Sequence, residues 1–163
     1  MGNLCFSSVS IPKIFTTDIS KVERFTYSGQ YKYCVFDHIY DGDTADIYFI
    51  DKSTIVRAPF RFYGYDSAEI KPLKSEANRD NIIREAKQDR EYLSSLIRGK
   101  YLIVEFMENE KYGRMMGNVY KCSDISVPEH LLSTHPEITE NNCVNKIMIK
   151  DNHGKIYYGG RKN

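Results

Sequence analysis

Three short stretches rich in aromatic and β-branched residues follow one another between Tyr31 and Tyr63, and only tight turns separate them. Residues 31–40, 45–50 and 55–63 read as strands. The connections Asp41-Gly42-Asp43-Thr44 and Asp51-Lys52-Ser53-Thr54 carry the Asp, Gly and Ser of turns. Strands joined this closely pair antiparallel, as a meander, because a parallel return needs a crossover of about a dozen residues. Past Pro72 the period changes to that of a helix. Ile82, Ile83, Ala86, Leu93, Leu96 and Ile97 fall on one side, with Arg84, Lys87, Asp89 and Glu91 largely opposite. Gly99 ends the helix, with Arg98 in its last turn.

Residues 101–107 and 112–121 return to strand texture around Glu108-Asn109-Glu110-Lys111. Residues 122–143, with Pro128 and Pro136, read as a long polar surface loop, and 144–150 as a helical turn. Three strands, a helix and two more strands predict a β-rich α+β fold: a five-stranded OB-fold barrel with the helix between strands 3 and 4. Residues 1–30 have weak periodicity and read as a tail or spacer, which leaves 31–163 for the domain.

Composition narrows the class. A chain of 163 residues that is 41% hydrophobic and 28% charged is expected to be one globular domain. No apolar run approaches the ~20 residues of a membrane span. The net charge of +1 argues against a uniformly basic nucleic-acid binder. That sum hides an uneven distribution. Residues 122–143 hold Asp124, Glu129, Glu137 and Glu140 and no Lys or Arg, whereas Lys146, Lys150, Lys155, Arg161 and Lys162 crowd the C-terminal end.

Cys5, Cys34, Cys122 and Cys143 contain no C-x-x-C pair, the four histidines are scattered, and no zinc-type spacing is visible. Free thiols in a reducing, intracellular compartment are expected. No secretory signal is visible, and only export would favour bridging Cys122 to Cys143. The N-terminal Met-Gly-Asn-Leu-Cys resembles an acylation signal, with Gly2 as myristate acceptor and Cys5 as a palmitoylation site, although Phe6 stands where Ser or Thr is usual. Two acyl chains would hold the protein to a membrane surface. The alternative is an ordinary flexible N-terminus on a soluble protein.

The acids and arginines fall at strand ends. Asp43 follows the first strand; Arg61, Asp66 and Glu69 end the third, in Arg-Phe-Tyr-Gly-Tyr-Asp-Ser-Ala-Glu; Arg114 opens the fifth. Two Asp carboxylates are hard-oxygen ligands suited to Ca²⁺ or Mg²⁺. A third acid can orient or deprotonate water. Two guanidiniums can clamp a phosphate and meet the charge of its transition state. These are the parts of metal-assisted phosphodiester hydrolysis. Singly, each is commonplace turn or surface chemistry.

Taken in order, Asp41-Gly42-Asp43-Thr44, then Arg61, Gly64, Asp66 and Glu69, a helix, Lys111-Tyr112-Gly113-Arg114, Val144-Asn145 and the Tyr-Tyr-Gly-Gly end resemble the staphylococcal nuclease (thermonuclease) family over residues 31–158. The resemblance implies an OB-fold, Ca²⁺-dependent endonuclease that cuts DNA and RNA to 3′-phosphate and 5′-hydroxyl ends; a monomer is expected. It makes Asp43 and Asp66 the calcium carboxylates, and Ser67 a ligand through its backbone carbonyl. Glu69 becomes the acid that acts on the attacking water. Arg61 becomes the arginine on the scissile phosphate, and Arg114 the second arginine, beside the leaving 5′ oxygen. Tyr112 and Tyr158 fall near the positions that line the family's nucleotide pocket, with Tyr157 adjoining Tyr158. The family's Asp-Thr-Pro-Glu is Asp66-Ser67-Ala68-Glu69 here, the 122–143 loop is longer than in compact members, and the short C-terminal end is more like plant and large-DNA-virus members. The rival readings are a catalytically silent OB module that binds nucleic acid or protein, and an acyl-anchored adaptor that works through its acidic loop. Silent versions typically lose the acids or arginines, and here all five are present.

Overall fold

The computed structural model describes residues 12–23, 25–108 and 113–159. The meander forms as the sequence predicts: β1 (Tyr31–Asp37), β2 (Thr44–Asp51) and β3 (Thr54–Phe62) pair antiparallel in turn. Lys52 and Ser53 both take positive φ, 46° and 70°, which matches the handedness of a two-residue hairpin. Alternate side chains point inward, so Cys34, Phe36, Ala45, Ile47, Phe49, Phe60 and Phe62 are buried in one core.

Beyond β3, the two-residue β4 (Tyr65–Asp66) leads to α1 (Arg79–Ile97). The chain then returns as β5 (Leu102–Phe106) and β6 (Met115–Lys121). β5 pairs antiparallel with β1 and with β6, and β6 runs parallel to β3 through Phe60↔Met115, Arg61↔Met116 and Phe62↔Gly117. The sheet closes as β1-β2-β3-β6-β5, an OB-fold-like barrel with α1 between its third and fourth strands. Closure leaves the five-stranded barrel sheet itself without a free edge.

The parallel seam between β3 and β6 is short, and α2 (Val144–Lys150) plugs it. Asn145, 2% exposed, donates from Nδ2 to the carbonyls of Tyr63 (2.8 Å) and Gly117 (3.1 Å), and its Oδ1 accepts the Val119 N–H at 3.0 Å. One side-chain amide thereby bonds three backbone groups across the seam; the Gly117 carbonyl also accepts the Tyr63 N–H at 2.9 Å. α2 ends in a Schellman turn. Asn152 sits at φ 62°, its N–H donates to Ile149 O at 3.2 Å, and the His153 N–H donates to Met148 O at 2.8 Å. That turn sends β7 (Lys155–Ile156) back to pair with β4 as Tyr65↔Ile156 and Asp66↔Lys155.

Several expectations change. The barrel is entered before Tyr31: the Tyr27 ring packs 5.2 Å from Phe49 and 5.3 Å from Phe106, and Tyr27 Oη donates to Asp51 at 3.0 Å. Residues 122–143 are more than a surface loop. They include a 3-10 turn, Glu129–Thr134, whose Leu132 is fully buried against Ile103 and Cys122. Cys34, Cys122 and Cys143 are buried free thiols, and Cys5 lies outside the described residues. The buried stripe of α1 is Ala86, Asp89, Leu93 and Ile97, so Asp89 faces the core and not solvent. The short β4–β7 ladder was invisible to periodicity. Among the described residues no helix is long and apolar enough to cross a membrane.

Gly117 is where the closed barrel leaves least room. A Cβ there would stand 2.3 Å from the Glu105 carbonyl oxygen and 3.3 Å from Phe60. Because the nearer contact is backbone, Gly117→Ala is expected to destabilise the fold by about 2 kcal/mol, as overpacking does. A urea denaturation midpoint unchanged from the parent would show that the seam can spread.

Candidate active site

One end of the barrel, where β1 passes into β2, gathers the acids. Tyr65 is wholly buried on β4 and donates its hydroxyl to the Gly42 carbonyl at 2.8 Å. Burial pushes that hydroxyl well above the usual tyrosine range, so it remains a donor. Gly42 accepts no side chain, since a Cβ would lie 2.7 Å from the Cβ atoms of both Ser67 and Asp89. The Asp41-Gly42-Asp43 turn is therefore laid directly on the segment that follows β4.

Asp43, 3% exposed, is partnered on both oxygens. Oδ1 accepts the Thr44 hydroxyl at 2.8 Å; Oδ2 accepts the Ser67 N–H at 3.1 Å and faces Arg61 Nη1 at 3.0 Å. The other arm of that guanidinium, Arg61 Nη2, pairs with Asp66 Oδ1 at 2.8 Å and reaches the Tyr65 carbonyl at 3.3 Å. Arg61 thus bridges Asp43 and Asp66. Arg114, just before β6, brings Nη1 to 3.5 Å from Thr44 Oγ1, which places a second guanidinium on the same rim.

Asp41 completes the cluster. Its Oδ1 accepts the Asp43 N–H at 3.2 Å. Its carboxyl is pushed up to about 7, first by burial, then by the Asp43 carboxylate, with Glu69 adding to the repulsion. Glu69 itself is exposed at the lip. The fold therefore brings together Asp43, Arg61, Asp66, Ser67, Glu69 and Arg114, the residues singled out in the sequence. Sequence reasoning passed over Asp41, Thr44 and Tyr65, although the Asp-Gly-Asp spelling of the turn already held two acids two residues apart. Tyr158 is 63% exposed and packs its ring 5.6 Å from Tyr63, while Tyr157 is the aromatic over the Arg61 guanidinium, at 6.0 Å. Tyr112, Gly2 and Cys5 lie outside the described residues.

These donors fit a hard divalent cation. The rim offers carboxylate and carbonyl oxygens, and four carboxylates (Asp41, Asp43, Asp66, Glu69) face two guanidiniums. The Asp41 carboxyl is raised first by its burial, and the neighbouring Asp43 and Glu69 carboxylates add to the shift.

A second cluster, Cys122, His135 and Glu137, has its donor atoms within 4.8 Å of one another. Those atoms are already engaged. His135 Nδ1 accepts the Glu137 N–H at 3.1 Å, so Nε2 carries the ring proton and donates to the Asp124 carbonyl at 3.0 Å. The Glu137 carboxylate accepts the Ser123 hydroxyl (2.6 Å) and the N–H groups of Ser123 (2.8 Å) and Asp124 (3.3 Å), which hold it down to about 2. Burial and that neighbouring carboxylate push the Cys122 thiol up to about 11. This hydrogen-bonded knot ties the 122–143 segment to the end of β6, and its soft thiol and imidazole donors are not those that calcium selects.

The Asp41 shift gives a pH test. Unfolded, Asp41 ionises near pH ~4; folded and metal-free, it does so near 7. Between those values the folded protein keeps a proton that the unfolded chain has lost, so metal-free stability falls as pH rises across the window. With chelator present, Asp41→Asn is expected to raise the urea midpoint above the parent's at about pH 8, and the two should coincide at about pH 3. A difference that does not depend on pH would exclude this origin.

The chain matches no known family model and no curated protein.

Proposed function

We propose that this chain is a calcium-dependent endonuclease of the staphylococcal nuclease type, hydrolysing phosphodiester bonds of DNA and RNA to 3′-phosphate and 5′-hydroxyl ends. The observation that carries the proposal is the Arg61 bridge between Asp43 and Asp66, with Arg114 reaching Thr44 beside it. Metal-ligand acids and phosphate-binding arginines share one rim. The Asp43 and Asp66 carboxylates and the Ser67 carbonyl would hold calcium, which when bound supplies charge neutralisation and polarises a phosphate oxygen.

Glu69 is exposed to solvent, where it can take a proton from water as the water oxygen bonds to phosphorus. The bond from phosphorus to the 5′ oxygen breaks in line, and that oxygen leaves as a hydroxyl with a proton from solvent. Arg61, spent on two carboxylates in the metal-free protein, takes a phosphate oxygen by exchanging one anion for another. Arg114 meets the charge that builds on the phosphoryl oxygens and the leaving oxygen. Tyr158, exposed beside Tyr63, offers a face on which a base can stack, and Tyr112 is the second residue proposed for the nucleotide. With Gly2 and Cys5 acylated, the enzyme would work at an intracellular membrane surface.

Purified protein is expected to cut single-stranded DNA with Ca²⁺ and to stop when a calcium chelator is added. Glu69→Gln should lower kcat by about 10²–10⁴-fold, and Arg114→Ala by about 10²–10³-fold. If the parent cuts neither DNA nor RNA with Ca²⁺, the nuclease reading is wrong and a silent nucleic-acid- or protein-binding barrel takes its place; if Glu69→Gln cuts as fast as the parent, the mechanism through Glu69 is wrong.

A further inference from the structure

The carboxylate that α1 turns inward sits directly behind the rim. Asp89 is 4% exposed, between Ala86 and Leu93 on the buried stripe. Its Cβ would stand 2.7 Å from a Cβ on Gly42, so no side chain fits between them. Asp89 Oδ2 accepts the Ala68 N–H at 3.4 Å, and Oδ1 stands 2.9 Å from His153 Nδ1. The His153 ring is fixed in turn. It stacks on Tyr92 with centroids 4.1 Å apart and planes 22° apart, the Tyr92 hydroxyl bonds the Asp151 carboxylate, and the His153 backbone closes the Schellman turn of α2.

We propose that Asp89, held in place by His153, is a positioning residue that aims the Ser67 carbonyl and sets the start of the segment bearing Glu69. The inference rests on the function proposed above. Regular pairing ends at Asp66, so the next amides must find partners elsewhere. They find two carboxylates: the Ser67 N–H goes to Asp43 and the Ala68 N–H to Asp89. The Ser67 carbonyl and the Ala68 N–H belong to one peptide unit, which is planar and trans. An acceptor that captures the N–H therefore also directs the carbonyl, the opposite way. Asp89 orients a main-chain ligand from outside the ligand set, as outer-shell groups orient metal-bound side chains. His153 keeps Asp89 from turning away.

Three readouts on the full chain test this. Asp89→Leu has similar volume but no acceptor; Asp89→Asn keeps an oxygen for the Ala68 N–H. In metal-free protein, hydrogen exchange at the Ala68 amide is expected to be at least about tenfold faster in Asp89→Leu and near the parental rate in Asp89→Asn. Calcium affinity by calorimetry should fall by about 10–100-fold in Asp89→Leu and recover in Asp89→Asn. At saturating Ca²⁺ the KM for single-stranded DNA should stay within about twofold while kcat falls, because Asp89 touches no substrate. A folded Asp89→Leu protein with parental Ala68 exchange and parental calcium affinity overturns the proposal. If Asp89→Leu does not fold, His153→Gln carries the test, and parental calcium affinity in that variant overturns it. If the parent cuts nothing, the nuclease reading falls alone, and the Ala68 exchange rate, measured without metal, still decides the role of Asp89.

Discussion

Burying Asp43 at the mouth of a β-barrel is costly unless its charge is answered, and the structure answers it from three directions. A carboxylate removed from water without partners loses far more than a hydrogen bond returns. Thr44 supplies a hydroxyl from the first residue of β2, Ser67 a backbone amide from beyond β4, and Arg61 a guanidinium from β3. The Thr44 hydroxyl is local, but the Ser67 amide and the Arg61 guanidinium are in place only when β2, β3 and the β4 segment are mutually positioned. Barrel assembly and solvation of this one charge are a single event. The same requirement keeps Arg61 at the rim, because it must answer Asp43 and Asp66 together.

The acidic surplus around that arginine has a chemical meaning. Burial first, and the neighbouring Asp43 and Glu69 carboxylates second, favour a proton on Asp41 in the metal-free protein. Under the proposed function, a divalent ion at the same oxygens would answer those carboxylates better than a proton and would loosen the hold on Arg61, leaving the guanidinium for a phosphate.

What could be read from the sequence was what local pattern encodes. The β1–β3 meander was legible because aromatic and β-branched runs end in turn residues, and α1 because its apolar positions recur at helical spacing. The acids and arginines were legible because they sit beside turns, where strand ends of a small barrel converge. What long-range pairing decides was not legible. Asp89 was assigned to the solvent face by its charge, although position 89 lies on the stripe through Ala86, Leu93 and Ile97; only the fold shows the amide and imidazole that let a carboxylate sit there. β4 and β7 are two residues each, too short to carry a period. His135 and Glu137 lie more than ten residues from Cys122, a spacing that means nothing until the 3-10 turn around Leu132 folds the segment back.

α2 is a seven-residue helix with two attachments that would otherwise be unrelated. Asn145, at its start, closes the barrel seam; the Schellman turn at its end carries His153 to Asp89 behind the rim. Elements joined in this way open together, as one cooperative unit. A fluctuation that lifts α2 unseals the seam and releases the backing of the Ser67–Ala68 peptide in the same motion. The seam and the backing of the rim thus share one support, and a cation bound at the rim would, by mass action, lend its stability to both.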